Sequence, residues 1–350
     1  MRIALAVPAR PGAHSGNSIT GERWARRLTQ LGHDAEVVGV VEGDADSWLG
    51  AVDDDGIDVL VALHARRCAE VVAWSASHRS DRAIVVGLAG TDLYRDLPDS
   101  AEALASLRCA DHLVVLQAEA IDHLAGIEPA FADKASVVHQ SVEVDVGPVR
   151  RAGRGEPDDE IDGIDGDEAV VVAVLAHLRD VKAPLLAARA ARELTESSHV
   201  RVEHAGSTHD ARWRDAAERE MAENPRYVWH GPLEPPAARL LLTRASALAC
   251  TSRLEGGANV VSEAIAHGVA VVGTDIAGNR GLLGADHPGL VPVDDHGALA
   301  RVLHRLETRP DFAAELRGRS VERRWMTDPA HERRQWADVI AALPDRTARP

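Results

Sequence analysis

Thr251-Ser252-Arg253-Leu254-Glu255-Gly256-Gly257-Ala258-Asn259-Val260-Val261-Ser262-Glu263-Ala264-Ile265-Ala266-His267-Gly268 follows an apolar run, Ala245 to Cys250, that reads as a buried strand. Beyond the small-residue turn, Val260, Val261, Ala264 and Ile265 fall on one helical stripe, and Gly268 stands where a helix stops. A strand therefore ends, a Gly-Gly turn lets main chain approach a ligand closely, and a helix begins with unpaired N–H groups. Those amides and the positive end of the helix dipole favour an anion. Glu255 and Glu263 flank the turn, and carboxylates do not bind the phosphate that the amides attract. They are assigned to hydroxyl groups on either side of it. A diphosphate with a sugar at each end, as in a nucleotide sugar, meets all three demands. Two solvated acids on a surface helix would explain the glutamates but not the strand and Gly-Gly turn around them.

Working outward, the preceding half of the chain repeats one design. Arg2 to Val7 reads as a first parallel strand, followed by a loop with Gly12 and Gly16 and a helix carrying Trp24, Leu28 and Leu31, closed by Gly32. The strand Ala35 to Val41 completes a βαβ unit. Further strands are expected at Asp58–Leu63, Ala83–Leu88, Leu113–Leu116 and Val137–Val138. Polar residues gather directly after several of them: His64-Ala65-Arg66-Arg67, Gly90-Thr91-Asp92-Leu93-Tyr94 and His139-Gln140-Ser141. In open parallel sheets that carboxyl edge is where ligands bind. Residues 151–167 are rich in Gly, Asp and Glu and read as a flexible linker. A second series begins at Ala169–Leu175 and continues with strands near Val200–His204, Tyr227–His230, Ala245–Cys250, Val269–Val272 and Leu290–Val293. Trp336, Ile340 and Leu343 mark a terminal amphipathic helix. The expected architecture is α/β, two Rossmann-like domains facing a cleft, at 1–150 and 168–322 with a helical tail at 323–350.

The pair Glu255 and Glu263 after a buried strand resembles the donor-binding signature of retaining GT-B glycosyltransferases of the family 4 type. The resemblance implies that Glu255 reaches the donor sugar, the amides of Gly256, Gly257, Ala258 and Asn259 the diphosphate, and Glu263 the ribose, with Gly16 on the donor side of the first loop. It also implies that the terminal helix returns to pack on the first domain. A second stretch, Leu175-Ala176-His177-Leu178-Arg179-Asp180-Val181-Lys182, matches the family loop in Lys182, but His177 stands where an Arg is expected. Arg179, two residues on, can supply the guanidinium. A leaving β-phosphate needs fixed positive charge, and a guanidinium binds it bidentately. Mere decoration of a helix start is a poor alternative, because the dipole disfavours cations there unless an anion joins them. His64 is placed by resemblance near acceptor and donor sugar; as a lone histidine at a strand end it could equally be a satisfied core group. Asp92 has helix capping as its alternative.

The N-terminal pattern, Val7-Pro8-Ala9-Arg10-Pro11-Gly12 with Ser15-Gly16-Asn17, then the His64, Asp92 and His177 stretches, is similar to that of the selenosugar synthases of selenoneine biosynthesis, over about residues 1 to 340. That resemblance implies transfer of a sugar, N-acetylglucosamine from its UDP form, to the selenium of selenophosphate, with pathway enzymes as possible partners. Arg10, Asn17, Arg66, Thr91 and Asp92 are then the acceptor side. A small dianionic acceptor needs cations, and arginines after strand ends in an acidic protein fit that need; pairing with neighbouring acids is the alternative. An already ionised selenium nucleophile needs little general-base help, so His64 would position or polarise. An ordinary family 4 transferase acting on a hydroxyl, or a non-catalytic nucleotide-sugar binder, are the rival readings.

Composition bounds the rest. The chain has 350 residues and a formal net charge of -16, which argues against a nucleic-acid surface and against attraction to anionic lipid. No apolar run approaches the ~18 residues that a spanning helix requires. Cys68, Cys109 and Cys250 are scattered without metal-ligand spacing, and a reducing cytoplasm is the expected location. Asp53-Asp54-Asp55 imitates a metal-binding Asp-x-Asp but falls in a polar loop and reads as a solvated turn. His204 and His209 do not form a helix-face pair, so no metal is expected, and no cofactor beyond a UDP-sugar co-substrate.

Overall fold

The computed structural model describes residues 1–9, 15–144, 169–208 and 210–344, so that Arg10, His209 and the 151–167 segment lie outside the described residues. Twelve strands form two six-stranded sheets in which every pairing is parallel. The front sheet holds β1 (Arg2–Val7), β2 (Asp34–Gly39), β3 (Val59–Leu63), β4 (Ala83–Gly87), β5 (His112–Val115) and β6 (Ala135–Val137), in the order β2-β1-β3-β4-β5-β6. The rear sheet holds β7 (Val170–Leu175), β8 (Val200–Ala205), β9 (Tyr227–Gly231), β10 (Ala247–Cys250), β11 (Ala270–Thr274) and β12 (Leu290–Val291), in the order β12-β11-β10-β7-β8-β9. Two parallel Rossmann-like sheets facing one another make this the GT-B fold.

Parallel strands covered by helices on both faces must be apolar at every position. β3, β4, β10 and β11 obey this and are buried throughout. β2 departs from it: as an edge strand it keeps only Val38 buried, and it ends at Gly39 before the expected Val41, which instead bridges to Asp44 in a tight turn. In the rear domain the helix Asn259–His267 presents Val261, Ala264 and Ile265 to Leu248 and Val271 of the sheet. Gly268 closes it at φ 69, a left-handed cap whose N–H returns to the carbonyls of Ala264 and Ile265.

The C-terminal helix Pro329–Ala341 crosses back onto the first domain and packs against the helix Gly16–Gln30. Trp336 and Trp24 are both fully buried and meet edge to face at 5.0 Å. Beside them Glu332, also fully buried, accepts from Arg23 Nε at 3.0 Å and Arg27 Nε at 3.2 Å. Because two guanidiniums share this carboxylate, loss of Glu332 would leave buried positive charge uncompensated at a cost of about 3–5 kcal/mol, whereas either arginine alone still neutralises it.

Strand order locates the sites. A ligand crevice opens where neighbouring strands run their connections to opposite sides of a sheet. In the front sheet that point lies between β1 and β3, and in the rear sheet between β7 and β10. The loops after β1 and β3 therefore face a crevice of their own, as do the loops after β7 and β10, and the two crevices oppose each other.

Candidate functional site

The rear crevice brings the two conspicuous stretches of sequence together. Lys182, after β7, forms an ion pair through Nζ with Glu255 Oε1, after β10. Ser252 Oγ donates to the same oxygen at 2.6 Å. Both charged groups are largely withdrawn from solvent, with 20% and 12% of their side chains exposed, and each compensates the other. The two loops are also sewn along the main chain. Thr251 Oγ1 donates to the carbonyls of Lys182 and Ala183, at 3.1 and 3.2 Å, and the Arg253 N–H donates to Val181 O at 2.8 Å. Arg179 is exposed, extended in backbone and without an ion-pair partner among the described residues. His177, where an arginine was expected, accepts at Nδ1 from the Ser207 hydroxyl at 2.9 Å.

The helix Asn259–His267 starts on Ala258, whose side chain cannot cap it. Its first amides thus remain for a ligand, in the field of the dipole. Asn259 turns its side chain across the cleft: its Oδ1 accepts from Arg23 Nη1 at 3.1 Å. Glu263 lies one turn on. Burial pushes its carboxyl above the ordinary value, opposed by the charges of Arg239 and Arg23, and its side chain has no hydrogen bond among the described residues. Half-buried at the mouth of the crevice, this carboxylate is free to accept from a ligand's hydroxyl groups.

On the front side, His64 ends β3 with φ 87, in the left-handed region that a non-glycine residue occupies at a cost of about 1–2 kcal/mol. The imidazole is buried, and that burial holds its pKa below the ordinary value, so it is neutral near pH 7. Its Nδ1 accepts from the Arg67 N–H at 3.3 Å. The proton therefore sits on Nε2, which donates to Thr91 Oγ1 at 3.1 Å. Asp92 is fully buried and pins both loops: Oδ1 accepts from the amides of Ala89 and Gly90, and Oδ2 from Ala65 N–H, each at 2.9 Å. These bonds are made to loop amides outside any helix start, so Asp92 holds His64 and Thr91 in place and caps nothing.

Arg66 donates to Asp96 at 2.9 Å and to Glu42 at 2.8 Å, so two carboxylates already surround it. Gly16 and Asn17 open the helix Gly16–Gln30, whose cap is Ser15 Oγ accepting from Ser18 N–H. Gly16 lies opposite Asn259: a Cβ on it would sit 3.9 Å from Asn259 Nδ2. Of the triple Asp53-Asp54-Asp55, Asp54 accepts from Arg2 and from Gly56 N–H, and Asp53 and Asp55 flank Arg79, as expected of a polar turn.

The domains touch at the turn itself. A Cβ on Gly90 would come within 2.4 Å of the Gly256 nitrogen, so only glycine main chain fits there. Gln140 Nε2 donates to Gly257 O at 2.5 Å, and Arg280 forms an ion pair with Glu119 at 2.9 Å. The structure thus has its cleft closed on the Gly256–Asn259 turn.

Residues 168–309 match the family model for glycosyl transferases group 1. The match lies within the rear domain, and the front domain falls outside it. No curated protein matches the chain in sequence. Solved structures share its whole fold at low identity. HepE of Anabaena in complex with UDP-glucose superposes with a TM-score of 0.74 at 13% identity, over 98% of this chain and all of that one. Sucrose-phosphate synthase of Thermosynechococcus elongatus gives 0.73 at 14% identity, over 97% of this chain and 98% of the other. The lipopolysaccharide outer core galactosyltransferase WaaB in its apo form gives 0.67 at 15% identity, over 98% and 99% of the two chains.

On this GT-B fold, Glu255, Gly256, Gly257, Ala258, Asn259, Glu263 and Lys182 share the rear crevice, while His64, Thr91 and Asp92 share the front one. Arg23, Ser252, Gln140 and Gly90 complete the contacts; Ser252, Gln140 and Gly90 lie in the stretches that follow strand ends, whereas Arg23 does not stand out in the sequence. Arg23 has a helical spacing that any amphipathic helix would show, and Gly90 gains its meaning only from a loop of the other domain.

Proposed function

We propose that the chain is a UDP-sugar-dependent glycosyltransferase whose rear crevice holds the nucleotide sugar. The observation that carries this reading is the convergence of an uncapped helix start, the Lys182–Glu255 pair and the half-buried Glu263, whose carboxyl accepts no hydrogen bond among the described residues. Diphosphate oxygens satisfy the amides, Glu263 takes the ribose hydroxyls and Glu255 the transferred sugar. Lys182, with Arg179 from the same loop, stabilises the charge that develops on the leaving phosphate. HepE of Anabaena, of the same fold, is solved with UDP-glucose, which supports a uridine donor here.

The acceptor enters from the front crevice. Neutral His64, with Nδ1 committed to the Arg67 amide and Nε2–H to Thr91, is a positioning donor and has no free nitrogen to act as base. Arg66 is enclosed by Glu42 and Asp96, which lowers the attraction of this wall for a dianion. A hydroxyl acceptor suits that balance, and we take it as the main reading. Selenophosphate is the second reading. It rests on the resemblance of the N-terminal loops to the selenosugar synthases and on the exposed Arg67, which has no ion pair among the described residues. Mass spectrometry of products from UDP-N-acetylglucosamine and UDP-glucose, with alcohol acceptors and with selenophosphate, separates the two. UDP release with neither acceptor class, and no UDP binding by calorimetry, would refute both.

A further inference from the structure

We infer that Arg23 is a positioning residue that couples closure of the cleft to the donor, an inference that rests on the donor site proposed above. Arg23 lies on the front helix Gly16–Gln30, is buried, and joins three parts of the molecule. Its Nε donates to Glu332 on the C-terminal helix at 3.0 Å, and its Nη1 donates to Asn259 Oδ1 at 3.1 Å, at the first residue of the rear helix. Its charge is also felt by Glu263. One guanidinium thus ties the returning helix, the front domain and the start of the helix whose amides face the donor.

The geometry gives this bond a direction. Arg23 and Asn259 belong to opposite walls, so the bond exists only while the cleft is closed. Its planar fork fixes the Asn259 side chain, and through it the first turn of the helix and the amides of Gly257 to Asn259. A donor bound to those amides therefore favours the closed state, and closure favours the donor by the same factor, as linkage requires. Packing alone does not account for the residue: Nη2 is buried without a hydrogen-bond partner among the described residues, a cost that an apolar side chain would avoid. Nor is Arg23 needed to neutralise Glu332. Arg27 also donates to that carboxylate, at 3.2 Å, and Ser141 Oγ contacts it.

That redundancy makes the test possible. Arg23→Lys keeps the charge near Glu332 but cannot span to Asn259; Arg23→Met removes both contacts while Arg27 still holds Glu332. Both variants are expected to raise KM for the UDP-sugar about tenfold, the worth of a charge-assisted hydrogen bond, with kcat changed less than about threefold. In an Asn259→Ala background Arg23→Lys should add almost nothing to KM. Hydrogen exchange read without nucleotide should accelerate at the amides of Val261 to Glu263 in both variants. A fall in kcat at unchanged KM, additive effects in the double variant, or unaltered exchange overturns the inference. If wild-type protein binds no UDP but exchange still accelerates, the closure contact stands and the donor reading alone fails.

Discussion

The contact between Gly90 and Gly256 allows a steric test of closure that leaves every polar group in place. In Gly90→Ala the added Cβ would lie 2.4 Å from the Gly256 nitrogen and 3.0 Å from its Cα, while a tolerable contact needs at least 3.0 Å. The two loops must then part by about 0.6 Å, and both sides of the contact are main chain, with no flexible side chain to give way. Gly90 also has φ 126, so the alanine carries backbone strain of about 1–3 kcal/mol in either domain arrangement. Strain lowers stability; separation of the walls lowers turnover. A displacement approaching 1 Å at a reacting centre costs about 10²-fold, and we expect kcat/KM to fall by roughly 10–100-fold. Gly256→Ala, whose Cβ would meet Ala89 O at 2.5 Å and Gly90 N at 2.8 Å, should behave alike from the other wall. Gly318→Ala is the control: it sits in the helix Pro310–Glu322 with nothing within 4 Å, and should gain about 0.5–1 kcal/mol with turnover unchanged. Steady-state kinetics with UDP release as readout, beside thermal unfolding, separates the two costs. Full activity in Gly90→Ala at wild-type KM would refute the idea that the reaction requires this closed contact.

Other expectations are simpler. Lys182→Ala should lower turnover about 10²–10³-fold, as for loss of one preorganised donor to a developing charge, and near-normal turnover with a UDP-sugar would remove Lys182 from that role. Glu263→Gln should leave the fold intact or slightly stabilised, since it relieves a desolvated carboxylate, while weakening UDP binding in calorimetry by about tenfold. His139, His204 and His287 are each held neutral by burial, with pKa values pushed down to about 4. Between about pH 6.5 and pH 4 the unfolded chain binds protons that the folded one refuses, so stability should decline as pH falls through that window, by on the order of 1 kcal/mol per unit for each histidine. Chemical denaturation across that range checks it, and His204→Phe should flatten part of the slope.

The fold was legible because it rests on local patterns. Apolar runs such as Val59–Leu63 and Ala247–Cys250, each ended by polar or small residues, can only be strands covered on both faces. Gly268 and the Val261, Ala264, Ile265 stripe gave the rear helix with its end. The meeting of Lys182 with Glu255 could be anticipated from the resemblance and follows physically from strand order, since β7 and β10 are neighbours. What stayed hidden was pairing at long range. Glu42 and Asp96, which enclose Arg66, come from two loops on either side of it, and nothing near Arg66 announces them. Arg23 reads as an ordinary polar position on an amphipathic helix until Glu332 and Asn259 arrive from the far end of the chain.

The difference between the two walls bears on the acceptor. On the rear wall the groups facing the crevice are left incomplete among the described residues: a helix with no side-chain cap, a Glu263 carboxylate that accepts no hydrogen bond, and a lysine paired with the glutamate of the same crevice. On the front wall they are complete. Asp92 has filled both oxygens with loop amides, His64 has committed both ring nitrogens, and Arg66 has two acids. An incomplete wall recovers its desolvation cost by binding tightly, whereas a complete one can offer only shape and shared hydrogen bonds. On the proposed reading, binding energy concentrates on the donor, and the acceptor is selected by how it fits the closed cleft. A dianionic acceptor would have to compete with Glu42 and Asp96 for Arg66, so neutralising either acid should improve its binding and leave a hydroxyl acceptor unaffected. Glu42→Gln, whose side chain is exposed and whose loss disturbs no core, makes that comparison directly.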